Sequence, residues 1–232
     1  MQLGGILLAR QMSETAHDNK AIVVTRLIRS HIALTVSLLT IGCGAPGPPS
    51  PQMTFFVTSK GLGDGGNLGG IAGADAHCQQ LAAAVGSSRM WHAYLSAPGA
   101  PPVNARERIG TGPWFNVAGT QISANVDELH RDDHTLTNET LLTEQGKKVP
   151  PLTHDMLTGS TEDGHLVLGA RDATCHAWTS NDGGGARVGH HDRSVSVEGS
   201  RSWNSAHTTG GCSAKALDAA LGSGLFYCFA ID

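Results

Sequence analysis

The chain has 232 residues, a formal net charge of -4 and 5% aromatic content. That length provides one domain with a sufficient core and a tail besides. A charge balance so close to neutral, with no run of Lys or Arg, speaks against a nucleic-acid-binding surface.

Residues 1–25 read as an N-terminal extension without a fold role, and a misassigned start codon is one explanation of them. Arg26-Leu27-Ile28-Arg29-Ser30-His31 then leads into an apolar run from Ile32 to Gly42. The run is too short to span a bilayer, which needs ~20 residues. A basic segment, an apolar stretch and small residues at its end describe a secretory signal over residues 26–42. Cys43, directly after Leu39-Thr40-Ile41-Gly42, resembles the lipidated cysteine of a bacterial lipobox, with Thr40 where that pattern usually has Leu. The expectation is an exported chain, lipid-anchored at the bacterial outer membrane, cell surface or periplasm, with ordinary secretion as the rival. Residues 43–52 form a Pro/Gly tether, and the folded domain is expected over 53–232.

Thr54 to Ser59 is β-branched and aromatic, and predicts a first strand. A glycine-rich turn holding Asp64 and Asn67 follows. Ala74, Cys78, Leu81, Ala82 and Val85 then recur at helical spacing, and Gly86 ends that helix. Trp91, Ala93 and Leu95 alternate with His92, Tyr94 and Ser96, as in a half-buried strand. Trp114-Phe115 is expected to bury its aromatic pair, and residues 123–130 to form a second short helix with Val126 and Leu129 inward. Residues 131–148 are polar and predict an exposed excursion. Past Pro151 come short segments: a brief strand at His165-Leu166-Val167-Leu168, the loop Asn181-Asp182-Gly183-Gly184-Gly185, and Val188 to Arg193. Leu225 to Ala230 is a continuous apolar run suited to a central strand. Early helices and late short strands predict an α+β domain rather than a wound parallel sheet. Besides Cys43 there are four cysteines, Cys78, Cys175, Cys212 and Cys228. In an exported domain an even number implies two disulfides, with three pairings open.

Gly73-Ala74-Asp75 with Cys78, Ala93-Tyr94-Leu95-Ser96, Leu157-Thr158-Gly159-Ser160, Cys175 with Trp178, and Tyr227-Cys228-Phe229-Ala230 resemble the C-type-lectin-like fold. The nearest forms are its endostatin-like branch and an uncharacterised lectin-like domain of bacterial surface lipoproteins. The shared pieces span about residues 54–231. The resemblance implies two early helices, a mostly antiparallel twisted sheet, a loop-rich second half and nested bridges, Cys78 to Cys228 and Cys175 to Cys212. It also implies a binding module, whose partner is a glycan or an extracellular, matrix-like or envelope protein met by the loops between Cys175 and Cys212. The membrane would be touched through the lipid anchor alone.

Sugar-binding members of that family hold calcium with a Trp-Asn-Asp strand. Trp203-Asn204 resembles its start, but Ser205 stands where the carboxylate belongs, and no Glu-Pro-Asn or Gln-Pro-Asp loop occurs. Trp203 and Asn204 are nonetheless the expected ligand contacts, with Asn181 and Asp182 as further oxygen donors. The histidines are frequent: His190-His191-Asp192 heads the metal candidates, with His154-Asp155, His176 and His207 near the second cysteine pair in sequence. Imidazoles and carboxylates suit zinc, though structural or surface roles are the plainer reading. No cofactor is required by any motif. No Gly-x-Ser-x-Gly occurs, and the cysteine pair of the related formylglycine-generating enzymes has no counterpart, so the expectation is a non-enzyme. A structural or adhesive envelope protein that binds protein without sugar is the alternative, and a metal-dependent hydrolase the least favoured.

Overall fold

A computed structural model describes residues 52–131, 136–150, 152–169 and 171–232, all within one compact unit, Gly44–Asp232. The extension, the signal segment, Cys43 and the tether up to Pro51 lie outside the described residues. The elements are β1 (Phe55–Val57), α1 (Gly70–Ala84), β2 (Trp91–Ala93), β3 (Trp114–Phe115), β4 (Gln121–Ser123), α2 (Val126–Leu129), β5 (Asp155–Leu157), α3 (Cys175–Trp178), β6 (Arg187–His190), β7 (His207–Thr208), α4 (Ala214–Ala219) and β8 (Gly222–Ala230). The domain is α+β, with one sheet in the order β1-β8-β5-β6-β7, β2 also pairing with β8, and a β3-β4 hairpin apart from it.

β8 organises the molecule. β1 and β2 both run antiparallel to it and both pair with Cys228 and Phe229, so they occupy opposite edges; β5 runs parallel to its first half. Alternation along β8 sends Phe226, Cys228 and Ala230 into one core and Leu225, Tyr227 and Phe229 into a second. The first core packs under α1, through Ala74, Cys78, Leu81 and Ala82. The second contains Phe55, Tyr94, Trp114, Met156 and Trp203. With both faces covered, β8 reads as an unbroken apolar run.

Two disulfides brace this plan. Cys78–Cys228 fastens α1 to β8 across 150 residues, and Cys175–Cys212 closes the loop-rich region across 37. Such bridges persist in an oxidising compartment. Among the described residues no helix is long and apolar enough to cross a membrane.

The motifs quoted above prove to be mutual contacts. Asp75 on α1 accepts from the Ala93 amide of β2 at 2.8 Å and forms a two-pronged ion pair with Arg108. The Trp178 indole donates to the Ser96 carbonyl at 2.8 Å, and the Ser96 and Ser160 hydroxyls meet at 2.8 Å. α3 itself is a single turn whose four residues all have positive φ. Left-handed turns of L-residues cost about 1–2 kcal/mol per residue. Here the Cys175 bridge, the buried Trp178, and Asp172, which accepts from the Thr174 and His176 amides, hold it in place.

Several expectations require correction. α1 begins at Gly70 rather than Ala74, because Gly69 and Gly70 enter it with φ of 71° and 73°. Gly73 also lets the helix start crowd the Leu68 carbonyl, which a Cβ would approach to 2.0 Å. Trp91 to Ser96 is not half-buried: Tyr94 and Ser96 are as buried as Leu95, since the second core covers their face. The polar stretch 131–148 contributes buried Leu136, Leu141 and Glu144. Glu144 accepts from both the amide and hydroxyl of Ser59. His165 to Leu168 supplies one isolated bridge, Ser160 with Leu166, rather than a strand. Helices are not confined to the first half, as α4 lies directly before β8, capped by the Ser213 hydroxyl.

Candidate functional site: a histidine cluster around Asp155

Strand register assembles the site. β5 and β6 are antiparallel with Asp155 opposite His190, and β6 and β7 are antiparallel with Val188 opposite His207. Residues two apart on a strand share a face, so Asp155, His190 and His207 all project from one side of the sheet. His154, the residue before Asp155, folds back against them: its ring stacks on His190 with centroids 4.3 Å apart.

Asp155 is the centre and is almost wholly buried. Its Oδ1 stands 3.0 Å from His190 Nε2 and 3.5 Å from His154 Nε2, and its Oδ2 lies 3.3 Å from His207 Nε2. These are charge-range contacts rather than aligned hydrogen bonds; neither carboxylate oxygen, nor His190 Nε2, has an aligned partner. The Nδ1 atoms of His190 and His154 are well held. His190 Nδ1 is 2.8 Å from the Ser194 carbonyl and 3.1 Å from the Ser194 hydroxyl. His154 Nδ1 is 3.1 Å from that same hydroxyl and 3.6 Å from Asp192 Oδ2. Asp192 in turn accepts from the Ser194 amide at 2.9 Å.

Burial alone would raise the Asp155 carboxyl, but the contacts and charge of His190 and His207 more than reverse this and hold it below the usual carboxylate range. Burial likewise opposes protonation of His190, and Asp155 and the Ser194 carbonyl overcome it, so that ring is shifted up. At His191 burial outweighs the Asp192 charge and the Thr153 carbonyl, and that ring is shifted down.

His154, His190 and His207 share the wall of a cavity of about 370 Å³ whose remaining lining is largely apolar, including Val195, Val197, Ala220 and Leu221. Val197 is 94% exposed, Val195 53% and Leu221 42%, so the rim presents apolar surface to solvent. A buried carboxylate with three imidazoles under such a rim can hold a cation or orient a bound polar group.

The structure sorts the candidates of the sequence. His190 is central. His191 is turned away, its Nε2 against the Thr153 carbonyl at 3.0 Å, and Asp192 stands one layer out, behind His154. His176 is exposed on α3 and is not among the residues grouped around Asp155. Asn181 and Asp182 are exposed; Asn181 donates to Asp64, which also accepts from Asn67 at 2.7 Å, so loop joins loop.

Trp203 and Asn204 are a correction. Both are buried: Trp203 packs against Tyr94 and Tyr227, and Asn204 donates to the Tyr94 hydroxyl and to the Thr161 and Glu162 carbonyls. The Asn204 amide oxygen, which a cation would need, accepts from Ser202 at 2.8 Å. The second core reaches further than the local pattern reveals, and it absorbs both residues. His154, Asp155 and His207 were visible only as neighbours of a cysteine pair in sequence. The one local signal was an Asp at an otherwise apolar strand position. A scan of the chain against protein-family models and a search of curated proteins both found no match.

Proposed function

We propose that this chain is an exported binding module of the C-type-lectin-like kind, anchored through Cys43, whose partner is a protein rather than a sugar. The contact surface of this reading is the apolar rim at Val195, Val197 and Leu221, much of it between Cys175 and Cys212. The observation that carries it is the distribution of aromatic and apolar surface. Every Trp and Tyr is buried, and every Phe but the half-buried Phe115, which leaves no aromatic platform for a sugar ring. The exposed Val197, by contrast, is what an apolar protein contact requires.

The test sets a glycan array beside a panel of immobilised envelope and matrix proteins, with the full chain and its Val197→Asp variant as probes. Binding to a protein is expected, weakened about thirtyfold in the variant, the effect of losing one interface anchor of about 2 kcal/mol. Sugar binding that Val197→Asp leaves unchanged would sink the reading. For the anchor, Cys43→Ser is expected to abolish metabolic labelling with a fatty acid and to move the chain out of the membrane fraction.

A further inference from the structure

We propose that His154, Asp155 and His190 form a binding site for a divalent transition-metal ion of the zinc type, with one coordination position facing the cavity. The inference does not rest on the protein-binding reading, because metal uptake is measured without any partner.

The donor set comes first. Two imidazole nitrogens and one carboxylate oxygen suit zinc and its neighbours, whereas calcium and magnesium call for oxygen-rich shells. The ligand atoms of the three residues lie within 4.8 Å of one another. A tetrahedral ion with bonds of about 2.0–2.1 Å sets its ligand atoms ~3.3 Å apart. The separations from Asp155 Oδ1, 3.0 Å to His190 and 3.5 Å to His154, bracket that spacing.

The chemistry of His190 makes the argument sharper. A backbone carbonyl can only accept, so the Ser194 carbonyl 2.8 Å from Nδ1 places the ring proton there. In the neutral ring the Nε2 lone pair then faces a carboxylate oxygen at 3.0 Å, acceptor against acceptor. Such a buried pair needs a positive centre between its members. A proton would sit on the N···O line and make an aligned hydrogen bond. The contact is close but unaligned, and Asp155 Oδ1 and His190 Nε2 are both without an aligned partner. An ion bound by both atoms need not lie on that line, and it would supply the partner that each of them lacks.

The outer layer agrees. Metal-bound histidines characteristically give their other nitrogen to a carbonyl, hydroxyl or carboxylate. Ser194 serves both rings, and Asp192 stands behind His154 and fixes Ser194 through its amide. His207 approaches Asp155 Oδ2 at 3.3 Å and orients the carboxylate, which leaves Oδ1 for the ion. Gly189, next to His190, permits the register: a Cβ there would meet the Trp203 carbonyl at 1.8 Å. Three protein ligands leave a fourth position for water or for an anionic donor such as a carboxylate of a bound ligand, and His154 and His190 both line the cavity from which it would come.

The test uses the full chain purified without a histidine tag, stripped with chelator and titrated with Zn2+ by calorimetry and with Co2+ by visible absorption. A single equivalent is expected, with the intense d–d bands of tetrahedral cobalt. Ser194→Ala is expected to weaken binding about 10–100-fold, and His190→Ala at least about a hundredfold. His176→Ala and His191→Ala are expected to change neither affinity nor spectrum. Thermal melts confirm that each variant is folded. Absence of uptake by the folded wild-type chain overturns the proposal whatever the variants do, and so does uptake that survives a combined His154→Ala and His190→Ala substitution. Loss of metal with protein binding intact would remove this site and leave the binding-module reading standing.

Discussion

Replacing Cys78 and Cys228 together by Ala is expected to lower stability by about 5 kcal/mol, the loop-closure entropy that a bridge across 150 residues removes from the unfolded chain. The same treatment of Cys175 and Cys212, which close 37 residues, is expected to cost about 4 kcal/mol. The first pair also joins α1 to the central strand, so its loss frees the element that covers one whole face of β8. Denaturant titration of both double variants under oxidising conditions measures the difference. A larger loss for the Cys175–Cys212 pair would show that the native contacts this bridge secures around α3, rather than loop length, set the ranking.

Trp203→Ala is expected to destabilise by about 3–5 kcal/mol, as for other buried aromatics truncated to Ala. In a domain of this size that lowers the melting temperature by roughly 10 °C or more. The ring packs at centroid distances of 4.9 Å from Tyr94 and 5.1 Å from Tyr227, and the Trp203 carbonyl accepts from the Tyr227 hydroxyl at 2.8 Å. Trp203→Phe should retain most of the stability, because much of the aromatic contact survives. A thermal melt beside a glycan-binding assay separates the two roles. Weakened sugar binding with an unchanged melt would place Trp203 at a ligand surface after all, and would contradict its burial.

Much of the scaffold was legible in the sequence, for reasons that differ by element. Leu225 to Ala230 reads as a central strand because both of its faces are covered, which removes polar residues from every position. α1 is legible because a single face packs on the core, so Ala74, Cys78, Leu81 and Ala82 fall at helical spacing. α4 was missed although Ser213 caps it, since six residues are too few to display a period. Residues 131–148 looked exposed because only Leu136 and the adjacent Leu141 and Leu142 interrupt a polar run, yet Leu136 and Leu141 pack into the second core. Trp203 followed the same logic in reverse. A lone aromatic beside Asn204 looks like a surface platform until a second packed layer is known to lie over it.

The sequence by itself determined the α+β class, the central strand, the helix that carries Cys78 and the pool of histidines, because composition and short-range periodicity are local properties of the chain. The tertiary structure alone decided which histidines matter and where Trp203 lies. Asp155, His190 and His207 meet through the register of three strands separated by long loops, and no local pattern encodes which strand lies beside which. A burial pattern within one segment likewise reports one face at a time. Whether the opposite face is covered depends on residues far along the chain.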